Sequence, residues 1–129
     1  MCLKVDKNLK LDFQPSEGGR QRIVAYKVVL VSSSNKIISP LNSFTWKEGW
    51  NYSSRWHKEV SDIELVDGID QGFHVYLTKE DAIMAKDSWL AYGYSYDSQI
   101  IPVCCYENDF VAAGYDRGFK SAVFTKVMK

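Results

Sequence analysis

Residues 22–31 read RIVAYKVVLV, an almost continuous apolar run that is rich in β-branched side chains. Such a run is typical of a strand that is buried on both faces of a sheet. We therefore predict that it is the central strand of the fold. The Ser and Asn residues at 32–35 predict a turn. The following residues 36–39 predict a hairpin partner, which ends at Pro40 because proline lacks the amide donor that a sheet interior needs.

The residues before this strand predict a more loosely attached segment. Apolar side chains stand mostly at alternate positions over residues 1–14, a period typical of extended chain. The turn-rich residues 15–19 (PSEGG) then interrupt the pattern. We expect 1–14 to be an extended arm or an edge strand of a single domain that spans residues 1–129.

The only helix that we predict follows a short strand. Residues 72–77 read GFHVYL and alternate between two faces, which predicts a strand. The period then becomes helical over about 79–91, with Thr78 placed to cap the first turn and Gly93 placed to end the helix. Further strands are predicted at 99–106, 109–113 and 120–128. One main helix and about six strands predict the α+β class with a mainly antiparallel sheet.

Charge and cysteine usage limit the possible functions. Sixteen basic residues balance sixteen acidic ones, which argues against a nucleic-acid partner and against a polybasic membrane-surface protein. The charge is unevenly spread, with a net +5 over residues 1–60, −8 over 61–110 and +3 over 111–129. Three cysteines (Cys2, Cys104 and Cys105) do not make the even-numbered framework of a secreted domain. This cysteine usage fits a reducing cytoplasm, and no apolar run approaches the roughly 20 residues of a membrane span, so we expect a soluble cytoplasmic protein, in the host cytoplasm if it is phage-encoded.

Few residues are arranged for catalysis. Neither His57 nor His74 has a Cys or carboxylate at a spacing typical of a zinc site, so no metal is expected. His74 could line a cleft as a general base, or it could be a half-exposed sheet histidine. Cys2 would become an N-terminal nucleophile if Met1 were removed, the alternative being a partly buried strand cysteine. The chain contains no phosphate-binding glycine loop and no Gly-x-Ser-x-Gly elbow. The balance is against an enzyme, and no cofactor is expected.

An aromatic segment is the most informative candidate site. Within residues 46–58, four Trp and Tyr side chains lie in a predicted loop with Lys47, Arg55 and Lys58, and these residue types are enriched at interface hot spots. The alternative is that the rings complete the core of a small domain. The candidate binding residues are Trp46, Trp50, Tyr52, Arg55 and Trp56, together with His74 and Tyr76 on the predicted strand at 72–77. The acidic block at 62–70 predicts a solvated loop or a contact for a basic partner.

Five segments resemble a set of small proteins of bacteriophages and gut bacteria. They are residues 1–3 (MCL), 25–28 (AYKV), 39–41 (SPL), 72–76 (GFHVY) and 122–127 (AVFTKV). The resemblance spans most of the chain. It implies a phage-like accessory protein, for which binding of a host factor or evasion of a host defence is the expected role.

A second, local resemblance covers about a third of the chain. Residues 73–78 (FHVYLT) with the helix after them and the strand at 100–105 are similar to the His-Val-His-Leu-Ser region of RNA 2′-phosphotransferases, which have the ADP-ribosyltransferase-like fold. This resemblance implies NAD as a cofactor and His74 and Thr78 as the matching catalytic residues. The chain departs from that family near Tyr26, where the first strand has neither the usual His nor Arg, and no glutamate can be assigned to the catalytic position.

Three hypotheses follow. The first is a small intracellular, phage-like protein that binds and modulates a host or defence protein. The second is an NAD-binding enzyme of the ADP-ribosyltransferase-like fold, or a degenerate relative, with a cleft bordered by His74 and Tyr76. The third is a protein that sequesters a small signalling nucleotide. The sequence leaves the oligomeric state open.

Overall fold

The computed structural model describes residues 3–16, 18–31, 36–38, 46–52, 68–69, 72–90 and 97–129. Within these ranges the chain forms eleven strands, one α-helix and one 3₁₀ turn at Glu107–Asp109. The strands are β1 (Leu3–Val5), β2 (Gln14–Pro15), β3 (Gln21–Val31), β4 (Ile37–Ile38), β5 (Trp50–Tyr52), β6 (Gly68–Ile69), β7 (Phe73–Tyr76), β8 (Asp97–Tyr106), β9 (Phe110–Asp116), β10 (Phe119–Phe124) and β11 (Lys126–Met128). The helix is α1 (Lys79–Leu90).

All the described strands pair antiparallel in one sheet. Nine of them follow one another in the order β5-β11-β8-β3-β7-β10-β9-β1-β6. One edge of β3 pairs with β8 over ten residues, from Arg22 to Val31. Its other edge is shared by β2, by β7 and by β4, the hairpin partner that the sequence predicts. The predicted central strand is therefore the element on which the sheet is assembled.

The predicted α+β class with about six strands is wrong. The described residues form an antiparallel sheet of eleven strands, against which a single helix of twelve residues packs. The helix lies where the sequence predicts it, but it is a minor element. The error has a physical origin, because β2, β4 and β6 have two residues each, too few to produce a periodic pattern.

The two faces of the sheet bury different clusters. Alternate residues of β3 place Ala25 and Val29 in the main core, and place Val28 on the opposite face against α1. The helix covers that second face through Ala82 and Ala85. Other buried members of the main core are Trp46, Phe73, Val75, Ile101, Val103, Cys105, Ala113, Ala122, Phe124 and Val127.

The N-terminal strand β1 lies between two other strands of the sheet. β1 pairs with β9 and with β6. After β1, the Asp6 amide donates to the Ala113 carbonyl at 3.0 Å. Phe13 then packs edge-to-face against Phe110 and Phe124, with ring centroids 6.0 and 6.3 Å apart. The segment between β1 and β2 thus covers one end of the main core.

A candidate binding face on the sheet

Four neighbouring strands, β3, β8, β11 and β5, present two rows of side chains away from the main core. The first row follows the register pairs Val24–Cys104, Cys104–Met128 and Met128–Trp50. The second row lies two residues along each strand and is set by the pairs Arg22–Tyr106 and Lys126–Tyr52. Since side chains two residues apart in a strand point to the same side, both rows share one surface. We call this surface the outer face: Arg20, Arg22, Val24, Trp50, Tyr52, Cys104, Tyr106, Lys126 and Met128.

Cations lie over the aromatic rings of the outer face. Lys126 Nζ is 4.8 Å from the ring centroid of Trp50 and 5.7 Å from that of Tyr52. Arg20 Cζ lies 5.6 Å from the centroid of Tyr106, and the Tyr106 and Trp50 rings contact each other at 5.4 Å. Each such cation–ring contact contributes about 0.5–1 kcal/mol at an exposed site. The contacts hold aromatic and cationic groups together in one surface.

A turn before β5 determines which tryptophan reaches this surface. Asn51 is fully buried, and its Oδ1 accepts from the Lys47 amide at 3.0 Å. Its Nδ2 donates to the carbonyls of Lys47 and Gly49, at 2.9 and 3.1 Å. Gly49 has a φ of +85°, a value that favours glycine. With Asn51 pointing inward, Trp50 and Tyr52 point outward by strand alternation.

The predicted aromatic residues are therefore divided between core and surface. Trp46 is only 5% exposed and packs against Phe73, with ring centroids 5.0 Å apart. Trp50 is half-buried on the outer face, whereas Tyr52 is 57% exposed. The predicted contacts Arg55 and Trp56 lie outside the described residues, as do residues 62–67 and Asp70 of the acidic block.

His74 and Tyr76 do not border an open cleft with Trp50 and Tyr52. Both are buried on the face of β7 opposite Phe73 and Val75. Tyr76 packs against the α1 residues Ala82 and Ala85 in the second cluster. Its hydroxyl donates to Asp116 Oδ2 at 3.1 Å, and burial raises the pKa of this tyrosine far above its usual range.

Thr78 has a structural position. Its Oγ1 accepts from the Asp81 amide at 3.1 Å and its carbonyl accepts from the Ala82 amide, so it caps the first turn of α1 as predicted. The acidic first turn, with Glu80 and Asp81, adds a favourable interaction with the helix dipole.

A buried lysine is the group that the sequence analysis did not select. Lys27 points to the main-core face between Ala25 and Val29, and its Nζ donates to the His74 carbonyl at 2.9 Å. Burial lowers the pKa of Lys27 to about 8, while the charge of Asp116 acts in the opposite direction. The signal was present in the sequence, because Lys27 is the one charged residue in the apolar run 23–31.

A separate groove of about 560 Å³ lies between the N-terminal segment and β9. Its walls are mostly apolar, and its charged members are two lysines and two carboxylates, Asp6, Lys7, Lys10 and Glu107. These charges balance, and the Asp6 carboxylate already accepts from the Asn8 amide at 2.9 Å. The groove therefore has no charge preference that would identify a ligand.

Two structural findings bear on metals and membranes. Among the described residues, no three His, Cys, Asp or Glu side chains gather where they could hold a metal ion. In the same ranges, no helix combines the length and the apolarity needed to span a membrane.

Comparisons of the chain with protein-family models, with curated proteins and with solved structures found no match.

Proposed function

We propose that the protein is a small phage-like accessory protein that binds and modulates a host or defence protein through the outer face. The observation that carries the proposal is the pair of cross-strand rows that place Trp50, Tyr52 and Tyr106 beside Arg22 and Lys126. Trp, Tyr and Arg are the residue types that dominate interface hot spots. Met128 and Val24, the latter 44% exposed, add apolar surface between them.

The rigidity of this surface also supports binding. The rows lie on paired strands, and the cation–ring contacts restrict the rotamers of long side chains before a partner arrives. A preformed surface loses less conformational entropy on association. The nucleotide-binding alternatives lack comparable support, because His74 and Tyr76 are buried and Thr78 caps α1.

A capture experiment tests this function with a matched control. Tagged full-length protein is incubated with bacterial lysate, and Tyr52→Ala is compared with Met84→Ala, since Tyr52 and Met84 are both 57% exposed. We expect a stoichiometric protein partner that Tyr52→Ala and Trp50→Ala lose and that Met84→Ala keeps. The partner is then purified and the affinities are measured directly. A folded protein that retains no stoichiometric partner, or one captured equally by all variants, contradicts the proposal.

A further inference from the structure

The cations of the outer face have few carboxylate partners. No carboxylate of the described residues lies within ion-pair distance of Arg20 or Arg22, but burial raises the pKa of Asp109 and the nearby charge of Arg20 acts to lower it. Lys126 has one, Asp109, whose Oδ1 is 3.9 Å from Nζ and whose side chain is only 12% exposed. Among the described residues, the three cations Arg20, Arg22 and Lys126 therefore outnumber the one partly buried carboxylate, Asp109, that interacts with them.

We propose that the partner presents an acidic, extended segment whose carboxylates pair with Arg20, Arg22 and Lys126. This inference rests on the proposed function and names the chemistry of the partner. A guanidinium offers a planar set of donors that matches a carboxylate. Between the cations, Val24, Met128 and the exposed Tyr52 ring would contact apolar side chains of the same segment.

The strand spacing sets the repeat of the segment. Arg22 is on β3 and Lys126 is on β11, with β8 between them. At about 4.8 Å per strand, their backbones lie about 10 Å apart. An extended chain of the polyproline II type has three residues per turn and advances about 3.1 Å per residue, so every third side chain lies on the same side, about 9 Å from the next. Carboxylates at every third residue of such a segment would therefore match these two cations.

The geometry favours an acidic protein segment over single-stranded nucleic acid. Nucleic-acid bases bind such proteins by stacking on open aromatic faces. Here Arg20 lies over the Tyr106 ring and Lys126 lies over the Trp50 ring, and these two rings also pack against each other. One face of each of these two rings is thus covered by a cation of the protein, which leaves less open ring surface for a base. The positive groups remain able to pair with carboxylates.

Fluorescence anisotropy with defined probes tests the inference. The probes are a labelled peptide of Glu-Leu-Ser repeats, the same peptide with Gln-Leu-Ser repeats, and an oligothymidylate of equal charge. We expect the acidic peptide to bind at least about tenfold more tightly than the glutamine peptide at low salt, and its affinity to fall with added salt. Arg22→Gln and Lys126→Gln should each weaken it severalfold, whereas Lys120→Gln, an exposed lysine on β10, should not.

The outcomes separate this inference from the proposed function. Equal affinity for the two peptides overturns the acidic preference, as does tighter binding of oligothymidylate. If a captured partner depends on Trp50 and Tyr52 but its complex is insensitive to salt and to Arg22→Gln and Lys126→Gln, the binding function stands and the acidic preference is wrong. If no partner depends on Trp50 or Tyr52, the proposed function itself fails.

Discussion

Lys27 Nζ donates a 2.9 Å hydrogen bond to the main-chain carbonyl of His74, at the point where β3 and β7 separate. The register pair Tyr26–Tyr76 is the only one between these two strands. Beyond it, the lysine side chain supplies the donor that a neighbouring strand would otherwise supply. A buried carbonyl without a donor would destabilise the fold. The lysine therefore links β3, which pairs with β8, to β7, which pairs with β10.

This role places an amine in an apolar environment that disfavours its charged form, and the neutral amine can still donate to the His74 carbonyl, so stability should depend on pH. The pKa of Lys27 is about 8 in the folded chain, against an ordinary value of 10.5. Between these values the unfolded chain holds more protons at this lysine than the folded chain does, so the free energy of unfolding rises with pH. As the pH falls from 10.5 to 8, the folded chain must take up a proton at the buried Lys27, and this part of the unfolding free energy is lost.

The first prediction concerns Lys27→Met. We expect the unfolding free energy of the wild type to rise relative to Lys27→Met by about 3 kcal/mol between pH 8 and pH 10.5. Urea unfolding of both proteins at several pH values measures the difference. Subtraction removes the contributions of Cys105 and Tyr76, whose pKa values are raised by burial and which act above their ordinary values of 9.0 and 10.0. A difference that does not change with pH would contradict the assignment.

The second prediction concerns the hydroxyl of Tyr76. Tyr76→Phe removes the donor to Asp116, a carboxylate that is 3% exposed. We expect a loss of about 1–3 kcal/mol in unfolding free energy, because a buried acceptor loses a partner. Tyr52→Phe makes the same chemical change at an exposed ring and should stay within about 0.5 kcal/mol of the wild type. Equal effects of the two variants would show that the Tyr76 hydroxyl does not stabilise Asp116.

The third prediction concerns the close approach of β1 to β9. A Cβ on Gly114 would collide with the carbonyl oxygen of Lys4 and lie 2.9 Å from the Val5 Cα. Since these are backbone atoms, Gly114→Ala should displace β1 and lower the unfolding free energy by about 1–3 kcal/mol or more. Amide exchange should accelerate at Leu3–Val5 while β3 stays protected. Lys4→Ala, which leaves the backbone unchanged, is the control, and a similar loss from it would contradict a backbone collision.

The sequence predicts the elements that have a distinct apolar pattern. β3 is a nearly continuous apolar run, β7 alternates and α1 has a helical period, and the capping position of Thr78 follows from its residue type. The sequence does not predict the number of strands, because two-residue strands such as β2 and β4 exist only through pairing with β3. Burial in the helix does not follow from residue type alone, because Ile83 is apolar and yet 42% exposed.

The candidate site could be predicted only in its residue types. Trp46, Trp50 and Tyr52 form one group in the sequence because they are close along the chain. Their separation into core and surface depends on the three hydrogen bonds of Asn51, which no local pattern indicates. Tyr106 and Lys126 were missed because they reach the outer face through strand pairing over long sequence separations.

The fourth prediction tests this dependence of the binding face on a buried amide. Asn51→Ala leaves the amide and the carbonyl of Lys47 without their partner, whereas the Gly49 carbonyl keeps the Lys129 amide at 2.9 Å, so the unfolding free energy should fall by about 1–3 kcal/mol. It should also weaken binding of the Glu-Leu-Ser peptide, because β5 would no longer hold Trp50 and Tyr52 in their positions. Asn108→Ala, at an exposed asparagine, should change neither quantity. A folded Asn51→Ala protein with the wild-type peptide affinity would mean that the outer face forms without this turn, and the orientation of Trp50 would then require another cause.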